Sequence, residues 1–326
     1  MSLRYDDRWI WDFWTAIDGP DVHLFHLQAL RALGDPELRH RHATVGHAVS
    51  RDLRTWTELP TALAAGPPGA FDDLATWTGS VMRHGRRWHM LYSGISRAEG
   101  GAVQRVGRAT SDDLVHWERH GAVLEADPRW YETLGPDTPE EEEHWRDPWV
   151  FQDPATGRFH ALLCARAATG PPDGRGVIGH ASSDDLETWE AGPPLSTPGE
   201  LRQLEVPQLV RLGGAWRVLF SAVEGDHSAA RLARPGVRPE GGSHVLSGAS
   251  RLGPFALEED AFLLGPDHGS WYAARIVEHR GARQLLAWRR YDEDGRFAGE
   301  IGDPMELEIG PGGLLSVAAT SDAGRV

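Results

Sequence analysis

The chain has 326 residues, 40% of them apolar and 25% charged, which suits one or two globular domains and excludes a disordered or collagen-like chain. Its 33 basic and 48 acidic residues leave a formal net charge of −15, so phosphate backbones are repelled and nucleic acid is not an expected partner. There is no lysine and no asparagine, which excludes a Walker P-loop, a lysine Schiff base and N-glycosylation.

Taken in chain order, three short strands form a set. IWDFWT starts at Ile10, VHLFHL at Val22 and GHAVSRDLRTW at Gly46. The set returns as WTGSVM from Trp77, WHMLYS from Trp88 and GRATSDDLVHW from Gly107, then as WRDPWVF from Trp145, FHALLC from Phe159 and GHASSDDLETW from Gly179. A fourth set is LEVPQLV from Leu204, WRVLFS from Trp216 and a degenerate SGASRLGPF from Ser247. The fifth is SWYAARIV from Ser270 and RQLLAW from Arg283, after which Met305–Ile309 alternates like a closing strand. A unit that repeats roughly every 60–70 residues cannot bury its own faces and must stack on its neighbours. The prediction is an all-β, five-bladed β-propeller over residues 1–320 with a short tail at 321–326 and no internal domain boundary.

In the third element of each set, serine and aspartate are read as turn-closing side chains and leucine and tryptophan as strand anchors. The stretch Glu125–His144, with four consecutive glutamates at 140–143, is the one long irregular insertion. It is either a solvated acidic loop or a lid over a pocket. His40 and His42 fall in an arginine-rich turn and are assigned a solvated role. With one cysteine, Cys164, neither an intramolecular disulfide nor a four-cysteine zinc site is possible. Met1–Asp7 is polar, and no later apolar run is long enough to span a bilayer, so the expectation is a cytoplasmic protein with no membrane partner.

The first strand of each set stops looking like packing. Ten to twelve residues before each second strand stand Asp12, Trp77, Asp147, Glu205 and Tyr272. In a radial array, equivalent residues of the innermost strands converge on one end of the axis, so three carboxylates and two aromatics should meet. Burying acids among large apolar residues is costly unless they are paired or functional. Pro148 and Pro207 agree with strands at a sheet edge, where a missing backbone donor is tolerated. Two carboxyl groups flanking a glycosidic bond are the minimum equipment for its hydrolysis. Tryptophan and tyrosine beside them suit sugar faces, which makes Trp11, Trp77, Tyr272 and Trp288 candidate contacts. The expected partner is a small carbohydrate, with no cofactor and no metal. His-Glu-x-x-His and Gly-x-Ser-x-Gly are both absent, which argues against a metallohydrolase and a serine esterase.

The runs GHAVSRDLRTWTELPTAL, WTGS, WRDPWVF, LEVPQL and DHGSWYA, in that order, resemble glycoside hydrolase family 32, the invertases, levanases and inulinases. The resemblance implies Asp12 as nucleophile, Asp147 as transition-state stabiliser and Glu205 as general acid and base. It also implies that Arg146, Trp77, Thr78 and Tyr272 line a fructosyl subsite. Trp11 and Phe13 flank Asp12 where the family usually has asparagine and proline, and this segment is closer to the levansucrases of family 68. Leu27 replaces a common glutamine, with Gln28 one place on, and Val206 replaces a cysteine. The β-sandwich that usually follows the propeller has no counterpart in the sequence.

The favoured reading is a retaining β-fructofuranosidase acting on sucrose or small fructo-oligosaccharides. A fructosyltransferase would use the same residues. An inverting furanosidase like those of family 43 and a non-catalytic sugar-binding propeller stay open. With Asp12 ionised beside it, Glu205 is expected to hold its proton above the usual carboxylate range.

Overall fold

The computed structural model describes residues 2–135, 138, 140–265, 270–310 and 315–317, with the backbone alone for 259–261. The tail at 321–326, and Asp267–Gly269 of the last family motif, lie outside the described residues. The second strands of the five sets are β2 (Asp21–Leu30), β6 (Arg87–Ile95), β10 (Phe159–Arg166), β14 (Ala215–Ala222) and β18 (Ala282–Tyr291). They are apolar along most of their length because neighbouring blades cover both faces, and every residue of β10 is buried.

Each second strand pairs antiparallel with the strand before it. These partners are β1 (Arg8–Asp18), β5 (Ala75–His84), β9 (Trp145–Gln152), β13 (Glu205–Leu212) and β17 (Trp271–His279). The five first strands touch in order, β1 to β5 to β9 to β13 to β17 and back to β1, and so ring the axis. Outward, β3 (Thr44–Ser50), β7 (Gln104–Ser111), β11 (Gly176–Ser183) and β15 (Gly242–Gly248) lead to the edge strands β4 (Thr57–Leu63), β8 (Glu118–Leu124), β12 (Glu190–Gly192) and β16 (Ala256–Leu264). In the fifth blade, β18 carries both β19 (Phe297–Ile301) and β20 (Met305–Ile309), and β20 pairs with β21 (Leu315–Val317). The expected five-bladed propeller is therefore present.

The core consists of apolar wedges between neighbouring blades. The ring closes where Leu3 pairs with Ile301 of β19, exchanging hydrogen bonds of 2.8 and 3.0 Å. Closure thus brings one terminus onto the other terminus's blade, as expected. The strand that receives it is β19; Met305–Ile309 packs further out on the same blade.

The serine-aspartate motifs are turns. Ser50 Oγ accepts from the amide of Leu53, and Asp52 Oδ1 from those of Arg54 and Thr55. The third-blade copy repeats this with Ser183, Asp185 and Leu186. Leu53, Leu114 and Leu186 occupy the left-handed region (φ 62°, 65° and 65°) with fully buried side chains that anchor each turn. The motif's leading glycine is set by space: a Cβ on Gly46 would lie 2.3 Å from the His26 ring, and one on Gly107 2.2 Å from Phe71. The serine and aspartate therefore close turns, as predicted, whereas the leucine, expected as a strand anchor, anchors the turn itself.

Candidate active site

All five innermost strands break register at the phase found in the sequence. The ladder jumps from Trp11 to Phe13, Thr76 to Gly79, Arg146 to Trp149, Glu205 to Gln208 and Tyr272 to Arg275. Each jump is a β-bulge that frees a residue from the pleat and re-aims its side chain. Four bulges hold a non-glycine residue at positive φ: Asp12 at 22°, Asp147 at 59°, Val206 at 51° and Ala273 at 48°. Such conformations cost about 1–3 kcal/mol each and persist where the surroundings over-determine them.

The bulges bring three carboxylates together. Asp12 Oδ1 accepts a 2.8 Å hydrogen bond from Trp288 Nε1, and Thr78 Oγ1 stands 3.5 Å from its other oxygen. Asp147 Oδ2 accepts from the amide of Val206 at 3.0 Å, and Arg146 Nε lies 3.6 Å away. Glu205 Oε1 accepts from an Arg146 Nη at 2.7 Å, and Glu205 Oε2 from the Tyr272 hydroxyl. Burial and the charges of Asp147 and Glu205 push Asp12 up to about 7. Burial also raises Asp147, to about 6, against the pull of Arg146. Burial pushes Glu205 upward too, yet the Arg146 charge and the hydrogen bonds from Tyr272 and Arg146 outweigh it, leaving its carboxyl below the ordinary value. This corrects the expectation of a raised Glu205: in the free site the proton sits preferentially on Asp12.

Asp12, Asp147 and Glu205 share a pocket of about 860 Å³ with Trp11, Trp77, Thr78 and Arg146. Tyr272 and Trp288 stand behind the carboxylates they bond, both buried. Among the described residues, no group of three or more His, Cys, Asp or Glu side chains is placed to hold a metal ion.

The sequence profile described as "Glycosyl hydrolases family 32 N-terminal domain" matches residues 35–297. The chain belongs to glycosyl hydrolase family 32. An extracellular sucrase of Zymomonas mobilis is 27% identical over 262 residues, covering 66% of this chain and 61% of the sucrase. A sucrose-6-phosphate hydrolase of the same organism is 30% identical over 148 residues, 44% of this chain and 26% of that protein. The chain thus spans less than two thirds of these relatives. Among solved structures, the inulosucrase of Halalkalicoccus jeotgali bound to kestose superposes with a TM-score of 0.79 at 23% identity, over 100% of this chain and 91% of that one. The family match contains Asp147 and Glu205 but begins after Asp12, in keeping with the unusual residues flanking Asp12.

Several residues of this family 32 site escaped the sequence reading. His40, assigned a solvated role, is exposed as expected but also lines the pocket, with its ring edge-on to Trp11 and Trp77 at 6.1 and 6.5 Å. Its backbone carbonyl accepts from Trp77 Nε1 at 2.7 Å. The acidic insertion is a wall. Glu140, Glu141, Glu142 and His144 line the pocket, and the Glu140 side chain is only 7% exposed because Arg166 and Arg202 pair with it. Gln203 Oε1 accepts from Arg146 at 2.6 Å while its Nε2 donates to the buried Asp226 at 3.2 Å. Arg275 is buried beneath the carboxylates, donating to the Phe13 and Pro207 carbonyls at 3.3 and 2.6 Å and so tying the fifth blade to the first and fourth. Only its position three places after Tyr272, at the same phase as Gln208, hinted at this.

Proposed function

We propose that this chain is a retaining fructosidase that releases fructose from sucrose and short fructo-oligosaccharides. The observation that carries the reading is the convergence of Asp12, Asp147 and Glu205, from three bulges, on one pocket with Arg146 bridging two of them. The names of the relatives, a sucrase and a kestose-bound inulosucrase among them, support a fructosyl substrate.

In the proposed reaction the Asp12 carboxylate attacks the anomeric carbon while Glu205 gives its proton to the departing glycosidic oxygen. The bond from that carbon to the leaving oxygen breaks as the bond to Asp12 forms. Glu205, now a carboxylate, takes a proton from water, whose oxygen displaces Asp12 and restores the starting charges. Asp147 is held by the Val206 amide and by Arg146, where it accepts from sugar hydroxyls and offsets positive charge developing in the ring.

The resting proton preference is opposite to what the first step needs. Asp12 must be ionised and Glu205 protonated, so productive binding requires one proton to pass from the nucleophile to the acid. The three carboxyls titrate as a coupled set. Activity is expected to rise as pH falls through about 7, where the site takes up the proton that Glu205 must use, and to fall again below about 6, as Asp147 takes up a further one.

The test is fructose release from sucrose and short fructo-oligosaccharides by the wild type and Asp12→Asn, with the first-formed anomer followed by NMR. Release with retention that disappears in the variant supports the reading. Inversion would move the chain to the family 43-like mechanism, longer saccharide products would assign transfer, and binding without turnover would make it a sugar-binding propeller.

A further inference from the structure

The wall of the pocket says what the leaving group must be. Among the described residues, seven carboxylates and three guanidiniums line it. Two of those guanidiniums are already committed to carboxylates of this chain: Arg146 donates to Glu205, and Arg202 to Glu140 at 3.1 Å through Nε. Arg41, at the exposed edge, donates to the carbonyl of Gly100 at 2.8 Å. A phosphoryl group needs several free donors converging on it, typically arginine forks. Among the described residues the pocket offers it no such cluster.

The acidic side chains left without a hydrogen bond or ion pair lie at the rim of the pocket. Asp12 and Asp147 form the buried floor, where both are pushed toward holding protons near neutral pH. Glu141 and Glu142, in the last residues of the insertion before β9, are exposed at the rim and make no hydrogen bond or ion pair among the described residues. A fructosyl ring at the floor leaves the rest of the glycoside to run outward along this wall. A phosphate carried there brings about −1.5 to −2 charge at pH 7 against two exposed carboxylates, of which Glu142 is only partly offset by the charges of Arg146 and Arg202, inside a molecule of net charge −15.

We propose that this pocket selects fructosides with uncharged leaving groups and excludes phosphorylated ones, with Glu141 and Glu142 as the residues that set the distinction. This rests on the fructosidase reading and divides the chemistry of its relatives, which include both a sucrase and a sucrose-6-phosphate hydrolase. Two carboxylates facing a dianion across a water-filled rim act through a partly screened field, so the discrimination is moderate and depends on salt.

The experiment compares kcat/KM for sucrose and sucrose 6-phosphate with the intact chain, in dilute buffer and in about 0.5 M sodium chloride. The expected result is a preference for sucrose of about tenfold or more at low salt, which shrinks as salt is added. The double substitution Glu141→Gln, Glu142→Gln should raise the ratio of phosphorylated to free substrate by about threefold or more. Equal or better cleavage of sucrose 6-phosphate overturns the inference while leaving the fructosidase reading intact, and would point to Arg41. A preference untouched by salt and by the double substitution also overturns it, since discrimination would then come from shape. If neither sugar is cleaved, the fructosidase reading fails first and this inference with it.

Discussion

The protonation of Glu205 is decided by groups that pull in opposite directions, and single substitutions separate them. The Tyr272 hydroxyl donates to Glu205 and favours its ionised form. Tyr272→Phe removes that donor, so Glu205 holds its proton to higher pH and the basic limb of the kcat/KM profile should move upward. Asp226 acts the other way. It is buried, raised to about 6 first by burial and then by the Glu205 charge, and it orients Gln203 toward Arg146. When ionised it repels charge on Glu205 and raises its proton affinity. Asp226→Asn keeps the shape and removes the charge, so the same limb should move downward, with more activity lost on poor leaving groups than on good ones. Shifts of the same sign in both variants would sink the scheme. The three acids were legible from repeat phase because each occupies the same place in its unit. Asp226 and Gln203 were not, because they lie in connections outside the repeated strands, where no phase exists to compare.

Innermost strands are sheet edges, and their backbone donors need partners that their own blade cannot supply. Side chains of the preceding blade supply them. Ser93 Oγ accepts from the Asp147 amide at 2.8 Å, Ser80 Oγ from Val150 at 3.0 Å, Ser221 Oγ from Ala273 at 2.9 Å and Gln208 Oε1 from Ile276 at 2.8 Å. Ser93, Ser221 and Trp288 are the last residues of their copies of the second-strand motif, and each meets the bulge of the next blade, Trp288 through the Asp12 carboxylate. A serine there caps a strained amide; a tryptophan there holds the candidate nucleophile. Ser93→Ala should therefore leave the Asp147 amide unpaired, costing about 1–3 kcal/mol of stability, and should lower kcat more than it raises KM because Asp147 loses its fixed direction. Denaturant unfolding with steady-state kinetics on the same sample checks both, and a stable variant with unchanged kcat would refute the link. The six-residue motif was visible in the sequence. That its last position looks across to the next blade was not, since pairing within a repeat says nothing about contacts between repeats.

At the scale of the whole propeller, the same burial that raises the acids depresses the histidines, and the two have opposite consequences for acid stability. His26, His40, His89 and His180 are pushed down to about 4, and His47 and His244 to about 3, by burial first in every case. Many lie in the repeated strands: His23 Nδ1 and His47 Nε2 are 2.9 Å apart, His160 Nδ1 and His180 Nε2 3.0 Å, so each pair shares at most one proton comfortably. The sequence displayed these positions, as the second residue of VHLFHL, WHMLYS and FHALLC, but not their pairing across strands. Between pH 6.5 and 4 the unfolded chain protonates these six while the native chain does not, so their contribution to stability is lost as pH falls through that window. Asp12, Asp147 and Asp226, raised to between about 6 and 7, bind protons in the native state first and so add stability over the same range. His40 is exposed and contributes least, but His23, His120, His144, His160 and His227 are lowered by burial in the same direction, so the histidines outnumber the raised aspartates and unfolding takes up protons across this window. The melting temperature should therefore fall from pH 6.5 toward pH 4, and His47→Gln, which leaves that position unable to charge, should flatten the fall. A melting temperature that stays level or rises across that window would mean that the buried carboxyls, not the histidine pairs, govern the acid limit of the propeller.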